Sequence, residues 1–338
     1  MIRLTRYTLI LFATIAQTAF AQSADDPRAA RIHLLTRADA DSVVLRWMPS
    51  TAGAWSIANQ SGYIVERVRV DGAGAFDRNA FTPLGAMPLK PWPVDAWRTR
   101  MSPAHPYVAA AGQMLHDAKL SSDANASMLD RAQALGNRFQ IAILAANLDP
   151  VAADGLGLRL VDRDVRSGDR FIYRVRSAST SEDVRFDTAI AVVDVARYET
   201  PPAPHALEAE ARDGSIRVHW SPLPIGYYIG YIIERSDDNG RTYRVLTAAP
   251  IASTQLDGQQ TVSEPEYLDT TTVNYRRYHY RVRGITHFAD RSLTADVSGM
   301  SRDLTPPPAP RANKATQIGK RAMRTTWDMP ETSGDLSG

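Results

Sequence analysis

The feature that most constrains the fold of this chain is a pair of short segments that occur twice with the same spacing. Gly-Tyr-Ile-x-Glu-Arg stands at residues 62–67 and again at residues 230–235. Tyr-Arg-Val-Arg stands at residues 173–176 and 280–283, and an aspartate, Asp162 or Asp269, lies 11 residues before the tyrosine in each copy. Shared residues at a shared spacing indicate one structural module present in two copies.

Within each copy the side chains alternate with period two, which is typical of β-strands. Residues 171–176 and 278–283 both place aromatic and valine side chains on one face and arginine on the other. Asn239-Gly240 predicts a hairpin turn, because this pair accepts the positive φ angles of a type I′ turn. Short strands, turn signals and units of about 100 residues predict an all-β fold of antiparallel β-sandwiches.

Two proline-rich junctions divide the chain. Residues 200–204 (Thr-Pro-Pro-Ala-Pro) and 305–310 (Thr-Pro-Pro-Pro-Ala-Pro) predict extended, stiff linkers. They bound a long unit over residues 28–199, a compact unit over residues 200–304 and the start of a third unit over residues 311–338. One or two strands are too few to close a core, so we expect the third unit to continue in a longer product; the alternative is that this last segment is frayed.

These patterns resemble those of fibronectin type III domains. The resemblance rests on a tryptophan in the second strand, the Gly-Tyr-Ile-x-Glu-Arg segment in the third, an aspartate-led bend that runs into Tyr-x-Tyr-Arg-Val in the second copy, and the proline-rich junctions. It covers nearly all of residues 200–304, both ends of residues 28–199 and the first residues after 311. It implies tandem fibronectin type III-like (Ig-like) β-sandwiches, the third of them incomplete.

The resemblance also implies structural roles for the repeated polar residues. It places Tyr278 where the family has a corner tyrosine whose hydroxyl bonds back to the chain, whereas Phe171 keeps the packing in the first copy without that bond. Pairing of the third strand with the sixth sets Glu66 near Arg174 or Arg176. In the second copy the same pairing sets Glu234 near Arg281 or Arg283. Exposed cross-strand ion pairs contribute about 0.2–1 kcal/mol; a ligand-binding Glu–Arg cluster is the alternative.

The two copies differ most between the repeated glutamate and the repeated aspartate. This interval is 96 residues in the first copy and 35 in the second, so the first copy has about 61 extra residues. Apolar residues there recur at helical spacing, which predicts an α-helical insertion at about residues 93–154. One helix should start near Ser102-Pro103, a second at Ser127 with Asp130 in a capping box, and a short third at Asp149. The two apolar stripes are Tyr107, Val108, Ala111, Met114 and Leu115, and Met128, Ala132, Leu135, Phe139, Ala142 and Ala146.

Aromatic residues just before and within the insertion are the candidate binding surface. Trp92, Trp97 and Tyr107 lie close together in the sequence. Such rings can form a stacking platform for a sugar or a peptide. The alternative is that they pack the helices onto the sheet.

The first residues predict export. Arg3 and Arg6 precede an apolar stretch and the small-x-small sequence Ala19-Phe20-Ala21, which together are typical of a secretory signal peptide at residues 1–21. A retained anchor helix is the alternative, and no later segment is apolar and long enough to span a membrane. We therefore expect a secreted, cell-surface or periplasmic protein with no transmembrane segment after cleavage.

Composition excludes several classes of function. Cleavage after residue 21 would leave 37 basic and 37 acidic residues, which argues against nucleic acid as a partner. The absence of cysteine excludes thiol catalysis and cysteine-based zinc sites. The seven histidines form no His-x-x-x-His pair, and no nucleophile elbow or phosphate-binding glycine loop is present. The sequence predicts no catalytic residue, no metal site and no cofactor.

The predicted function is that of an exported, non-enzymatic protein. Its monomeric modules would act as a spacer or binding array for a protein or a surface glycan, with the helical insertion as the contact surface. One alternative is that the modules are the N-terminal accessory region of a larger secreted enzyme, a polysaccharide hydrolase or a peptidase. Another is that the insertion is a carbohydrate-binding module.

Overall fold

The computed structural model describes residues 29–116, 127–221, 227–247, 249–252, 264–304 and 311–328. These residues form two β-sandwich units and a separate hairpin. The predicted signal peptide at residues 1–21, the second linker at residues 305–310 and the end of the predicted third unit lie outside the described residues.

The first unit packs a three-stranded sheet on a four-stranded sheet, both antiparallel. The three-stranded sheet contains β2 (Ile32–Asp39), β3 (Ser42–Pro49) and β6 (Arg159–Asp162), in that order. The four-stranded sheet contains β5 (Thr82–Pro83), β4 (Tyr63–Arg69), β7 (Arg170–Ser177) and β9 (Ala189–Asp194). A short parallel pair joins β1 (Ala29–Ala30) to β8 (Arg185–Phe186).

The second unit repeats this arrangement. One sheet contains β10 (His205–Arg212), β11 (Ser215–Ser221) and β15 (Glu266–Asp269). The other contains β13 (Arg244–Val245), β12 (Gly230–Ser236), β16 (Arg277–Ile285) and β17 (Ala295–Met300), and β14 (Ile251–Ala252) also pairs with β12. The separate hairpin consists of β18 (Arg311–Gly319) and β19 (Ala322–Asp328). A three-stranded sheet packed on a sheet of four strands in the first unit and of five in the second confirms the predicted tandem fibronectin type III-like sandwiches.

Each unit has its own hydrophobic core built around the same aromatic pair. Trp47 of β3 meets Tyr63 of β4 edge to face, with ring centroids 5.8 Å apart. Trp220 and Tyr231 repeat this contact in the second unit at 5.1 Å. All four side chains are at most 1% exposed. Burial of these large rings, which stabilises at about 25 cal/mol per Å² of apolar surface, explains why the tryptophan and the tyrosine recur.

The glycine that opens each repeated hexapeptide is required by close backbone packing. A Cβ atom on Gly62 would lie 2.8 Å from the carbonyl oxygen of Leu89, and one on Gly230 would lie 2.8 Å from that of Ile251. Gly62 also has a φ angle of +84°, which side chains disfavour. The third strand can begin only where no side chain separates it from its neighbour.

All five helices described belong to the first unit. They are α1 (Ala52–Ser61), α2 (Val94–Arg98), α3 (Pro106–His116), α4 (Met128–Leu148) and α5 (Pro150–Gly155). The sequence analysis missed α1, which lies between β3 and β4. Its signals were the N-cap Thr51, which accepts from the Ala54 N–H at 3.2 Å, and the buried residues Ala54, Trp55 and Ala58 at helical spacing.

Local capping explains where the helices of the insertion begin. The predicted box at α4 is confirmed, because Ser127 and Asp130 each accept the other's backbone N–H. Helix α3 begins at Pro106, so the predicted start near Ser102-Pro103 is wrong. The His105 N–H donates to the Ser102 carbonyl at 2.9 Å, and this turn precedes the helix. Proline is suited to the first helical position because its nitrogen has no hydrogen to donate.

The predicted apolar stripe of α4 is only partly buried. Leu135, Phe139, Ala142 and Ala146 belong to or pack against the core of the first unit. Met128, however, is 88% exposed, and Ala132 is exposed as well. Arg138 of α4 donates to the carbonyls of Met114 and Leu115 in α3, whereas the residues of the first turn of α4 are exposed.

Candidate functional site: repeated charges, the insertion and the junction

A buried Arg–Asp–Tyr network is present once in each unit. In the second unit the carboxylate of Asp269, which is 1% exposed, accepts hydrogen bonds from the Tyr280 hydroxyl at 2.9 Å and the Arg235 guanidinium at 2.7 Å. The first unit repeats the network with Asp162, Tyr173 and Arg67. The 11-residue spacing noted in the sequence thus places an aspartate against a tyrosine hydroxyl.

The electrostatics of this network favour a fixed charge distribution. Burial by itself raises the pKa of Asp269, but hydrogen bonds from Thr271, Arg235 and Tyr280 outweigh it and hold the pKa below its usual value. Burial, followed by the Asp269 charge, raises the pKa of Tyr280 far above neutral pH. The aspartate is therefore ionised and the tyrosine protonated across the physiological range, as a structural anchor requires.

The repeated glutamates face arginines across the strands, as the resemblance implied. Glu66 accepts from the Nε of Arg174 at 2.8 Å and from that of Arg176 at 3.3 Å. The hydrogen bond from Arg174 is the main cause that lowers the pKa of Glu66. Glu234 lies 3.8 Å from Arg283 in the equivalent place. These contacts give the repeated charges structural partners.

The corner tyrosine is confirmed in the second unit. The Tyr278 hydroxyl accepts the backbone N–H of Val273 at 3.0 Å. Phe171 takes the same place in the first unit, buried at 4% exposure, and has no hydroxyl to form this bond. The guanidinium of Arg67 stacks over the Phe171 ring at 4.7 Å, as that of Arg235 stacks over Tyr278 at 4.6 Å.

The three aromatic residues predicted as the binding surface pack into the first unit. Trp97 is 2% exposed and donates its indole N–H to the Trp92 carbonyl at 3.1 Å. Trp92 is half-buried between the edge of Trp97, 5.5 Å away, and the guanidinium of Arg100, 4.4 Å from its ring. Tyr107 is half-buried against the same core. Trp97 presents no free ring face, and ligand binding by these residues stays a prediction.

A buried arginine fastens the insertion to the three-stranded sheet. Arg46 of β3 is 3% exposed and donates to the Leu158 carbonyl at 3.1 Å and to the Asn147 side chain of α4 at 3.3 Å. Burial lowers the pKa of Arg46 to about 10, which still leaves it charged at neutral pH. His219 takes the equivalent position in the second unit, where no helix covers the sheet in the described residues.

The described residues contain no group of three histidine, aspartate or glutamate side chains able to hold a metal ion. The nearest approach to a catalytic pair is His105 with Asp149, whose Nδ1 and Oδ1 atoms are 3.1 Å apart. Asp149 is committed to capping α5 through the Val151 N–H at 2.9 Å. Within the same ranges no helix is both long enough and apolar enough to cross a membrane.

At the junction of the two units, one carboxylate of the second unit contacts two residues of the first. Asp290 accepts a hydrogen bond from Tyr198, two residues before the first linker, at 3.1 Å and forms an ion pair with Arg37 of β2 at 2.5 Å. The Arg37 guanidinium also stacks over the Tyr198 ring at 4.8 Å. Burial and the Asp290 charge raise the pKa of Tyr198, so its hydroxyl remains a donor. Three elements distant in sequence meet here.

Solved structures similar to this chain include several fibronectin type III domain structures. The FN1-FN3 domains of chicken CNTN1 share 8% identity, with 91% of this chain and 78% of that chain covered and a TM-score of 0.28. A two-domain fibronectin type III segment of chicken tenascin shares 10% identity, covering 79% and 97%, with a TM-score of 0.26. An Fn3-like protein from Clostridium thermocellum shares 23%, covering 32% and 100%, with a TM-score of 0.24. No protein-family model and no curated protein sequence matches the chain.

Proposed function

We propose that this chain is an exported, non-catalytic array of fibronectin type III-like modules that holds a binding surface in a fixed position relative to the next module. The partner is a protein or a surface glycan. The junction centred on Asp290 is the observation that carries the proposal, because a spacer needs modules that do not swing about their linker.

The first linker, residues 200–204, also forms hydrogen bonds with the second unit. Besides the Asp290 contacts, the Leu293 N–H donates to the Pro201 carbonyl at 2.9 Å. The Tyr228 hydroxyl donates to the Pro202 carbonyl. The first unit and the linker therefore bind the same loop of the second unit, which supports a rigid connection.

The use of the shared ionisable residues supports a non-catalytic role. The aspartate, tyrosine, arginine and glutamate that recur in both copies form hydrogen bonds and ion pairs within the frame. Export is supported by the signal-like residues 1–21. Because the chain has no cysteine, its folding requires no disulfide bond.

Distance measurement between spin labels tests the proposal. Because the full chain has no cysteine, Ser167→Cys and Thr270→Cys provide one label in each unit. We expect a single narrow distance distribution, and a broader one after Asp290→Ala. Asp296→Ala, which removes an exposed ion pair within the second unit, is the control and should leave the distribution narrow. A broad distribution in the unaltered chain would contradict the spacer function.

A further inference from the structure

The outer face of the four-stranded sheet in the first unit carries apolar side chains. In register across three strands, Val68 lies opposite Ile172 and Ile172 opposite Val192. We call the following set the apolar strip: Val68, Ile172, Val192, Ile190, Phe81 and Phe76. Ile190 is 63% exposed, Val192 44% and Phe76 39%, whereas Val68 and Ile172 are buried with Phe81 packed on them. Exposed apolar side chains that adjoin one another, unlike single ones, mark an interaction surface.

The strip is organised by the loop that follows β4. Phe81 packs on Val68 and Ile172, forming a small apolar cluster separate from the main core. The Arg174 guanidinium covers one face of the Phe81 ring at 3.9 Å, and Phe76 meets Phe81 edge to face at 6.5 Å. The strip is therefore held in place before any partner binds.

The second unit shows that the fold does not require this strip. Arg281 stacks over Tyr243 at 3.7 Å, the counterpart of Arg174 over Phe81. Around this shared contact the apolar residues are replaced by polar ones. In the positions of Val68, Ile172, Val192 and Ile190 stand Ser236, His279, Ser298 and Asp296. One frame thus carries an apolar outer face in one copy and a polar outer face in the other.

An acidic groove of about 920 Å³ adjoins the strip. It shares Phe76 with the strip, and its charged lining consists of Asp71, Asp77, Asp169 and Asp194 against Arg69 and Arg170, a net charge of −2. Arg69 pairs with Asp169, and Arg170 with Asp194.

The two remaining aspartates of the groove are available to a ligand. Asp71 accepts from the Ala75 N–H at 2.8 Å and Asp77 from the Asn79 N–H at 2.8 Å, both within their own loop. Neither pairs with a cation in the part of the chain that the structure describes. The groove therefore presents two carboxylates to a positively charged group.

We propose that the apolar strip and the acidic groove bind an extended polypeptide segment in which apolar side chains are flanked by lysine or arginine. The aliphatic Ile190 and Val192 offer no ring face to a sugar, and Arg174 covers one face of Phe81, which favours a peptide over a glycan. The net negative groove favours a cationic partner over a second copy of this chain. The inference takes from the proposed function only that the first unit is a binding module.

Synthetic peptides of matched length test the inference on the full chain. Three fluorescent probes with alternating Leu–Lys, Leu–Glu and Ser–Lys are titrated and binding is followed by anisotropy. We expect the Leu–Lys peptide to bind and the other two to bind at least roughly tenfold more weakly. Equal binding of the Leu–Glu peptide, or no saturable binding of the Leu–Lys peptide, would overturn the inference.

Variants locate the binding. Ile190→Asp with Val192→Ser, the residue types of the second unit, should weaken Leu–Lys binding roughly tenfold or more. Asp71→Asn with Asp77→Asn keeps the acceptors of the loop bonds and should weaken binding while lowering its salt dependence.

Val245→Ser with Leu268→Asp is the control for the strip variant, since it removes two apolar side chains exposed in the second unit, and should leave binding unchanged. Unchanged binding of the Leu–Lys peptide in the strip variant would overturn the inference. A dimer of the unaltered chain that dissociates in the strip variant would also overturn it, because a second copy of the chain would then occupy the strip. The distance measurement across the junction tests the spacer proposal independently. A failure of peptide binding would therefore overturn this inference and not the spacer proposal.

Discussion

At the residue scale, most of what the two copies share has a structural explanation. The repeated tetrapeptide supplies the tyrosine of the Arg–Asp–Tyr network and the arginine partners of Glu66 and Glu234. The constant spacing of Asp162 and Tyr173 indicated a repeated module, but neither the hydrogen bond between them nor the arginine was anticipated. The sequence signal was the alternation of faces along β4. Arg67 falls on the core-facing side of this strand, where a charge needs a partner.

The stability of the second unit should depend on the ionisation of Asp269. Its folded pKa is depressed, so ionisation stabilises the folded state above the unfolded pKa of about 3.9, and this contribution is lost as the pH falls through the folded pKa. Urea midpoints of the full chain and of Asp269→Asn, followed by circular dichroism, should differ most near neutral pH, and the difference should shrink as the pH falls below the unfolded pKa of about 3.9. A difference that does not change with pH would contradict this assignment.

The burial of Trp97 predicts a role in stability. Trp97→Ala removes a side chain that is 2% exposed and should cost about 3–5 kcal/mol of unfolding free energy. Thermal melting of the full chain measures this. Arg98→Ala, on the neighbouring exposed residue, is the control and should change stability by less than about 1 kcal/mol. A melting temperature unchanged by Trp97→Ala would restore the platform hypothesis for this ring.

At the scale of elements, the start of α4 was predictable because a capping box is local. The burial of the same helix was not, because it depends on where α3 ends and where Arg138 meets it. The Arg138 Nε donates to the Met114 carbonyl at 2.8 Å, a contact between residues 24 positions apart. Periodicity thus predicts which face of a helix is apolar, whereas tertiary packing decides how much of that face is covered.

Two glycines of the insertion should respond in opposite directions to alanine. A Cβ atom at Gly155 would lie 2.5 Å from the Trp97 ring, so Gly155→Ala should destabilise by about 1–3 kcal/mol through overpacking. A Cβ atom at Gly136 in α4 would meet nothing within 4 Å, so Gly136→Ala should stabilise by up to about 1 kcal/mol. Urea unfolding compares the pair. Stabilisation by Gly155→Ala would contradict the packing of α5 on Trp97.

At the scale of the whole molecule, the sequence predicted tandem sandwiches because repeat spacing and period two are visible along the chain. It did not predict the junction, because Arg37 and Asp290 are 253 residues apart and neither belongs to a repeated motif. The difference between the outer faces of the two units could not be predicted from the sequence either. The contrast between Ile190 and Asp296 becomes visible only once the register of β9 on β7 and of β17 on β16 is known.

The central claim is that the residues shared by the two copies build the structural frame of each unit. Hydrogen-exchange mass spectrometry of the full chain, with Asp162→Ala and Asp269→Ala compared with the unaltered protein, tests it most directly. Removing one partner of a buried ionic network costs about 3–5 kcal/mol. Each substitution should therefore lower amide protection by that amount in its own unit and leave the other unit protected. Protection that stays unchanged in the substituted unit would contradict the claim.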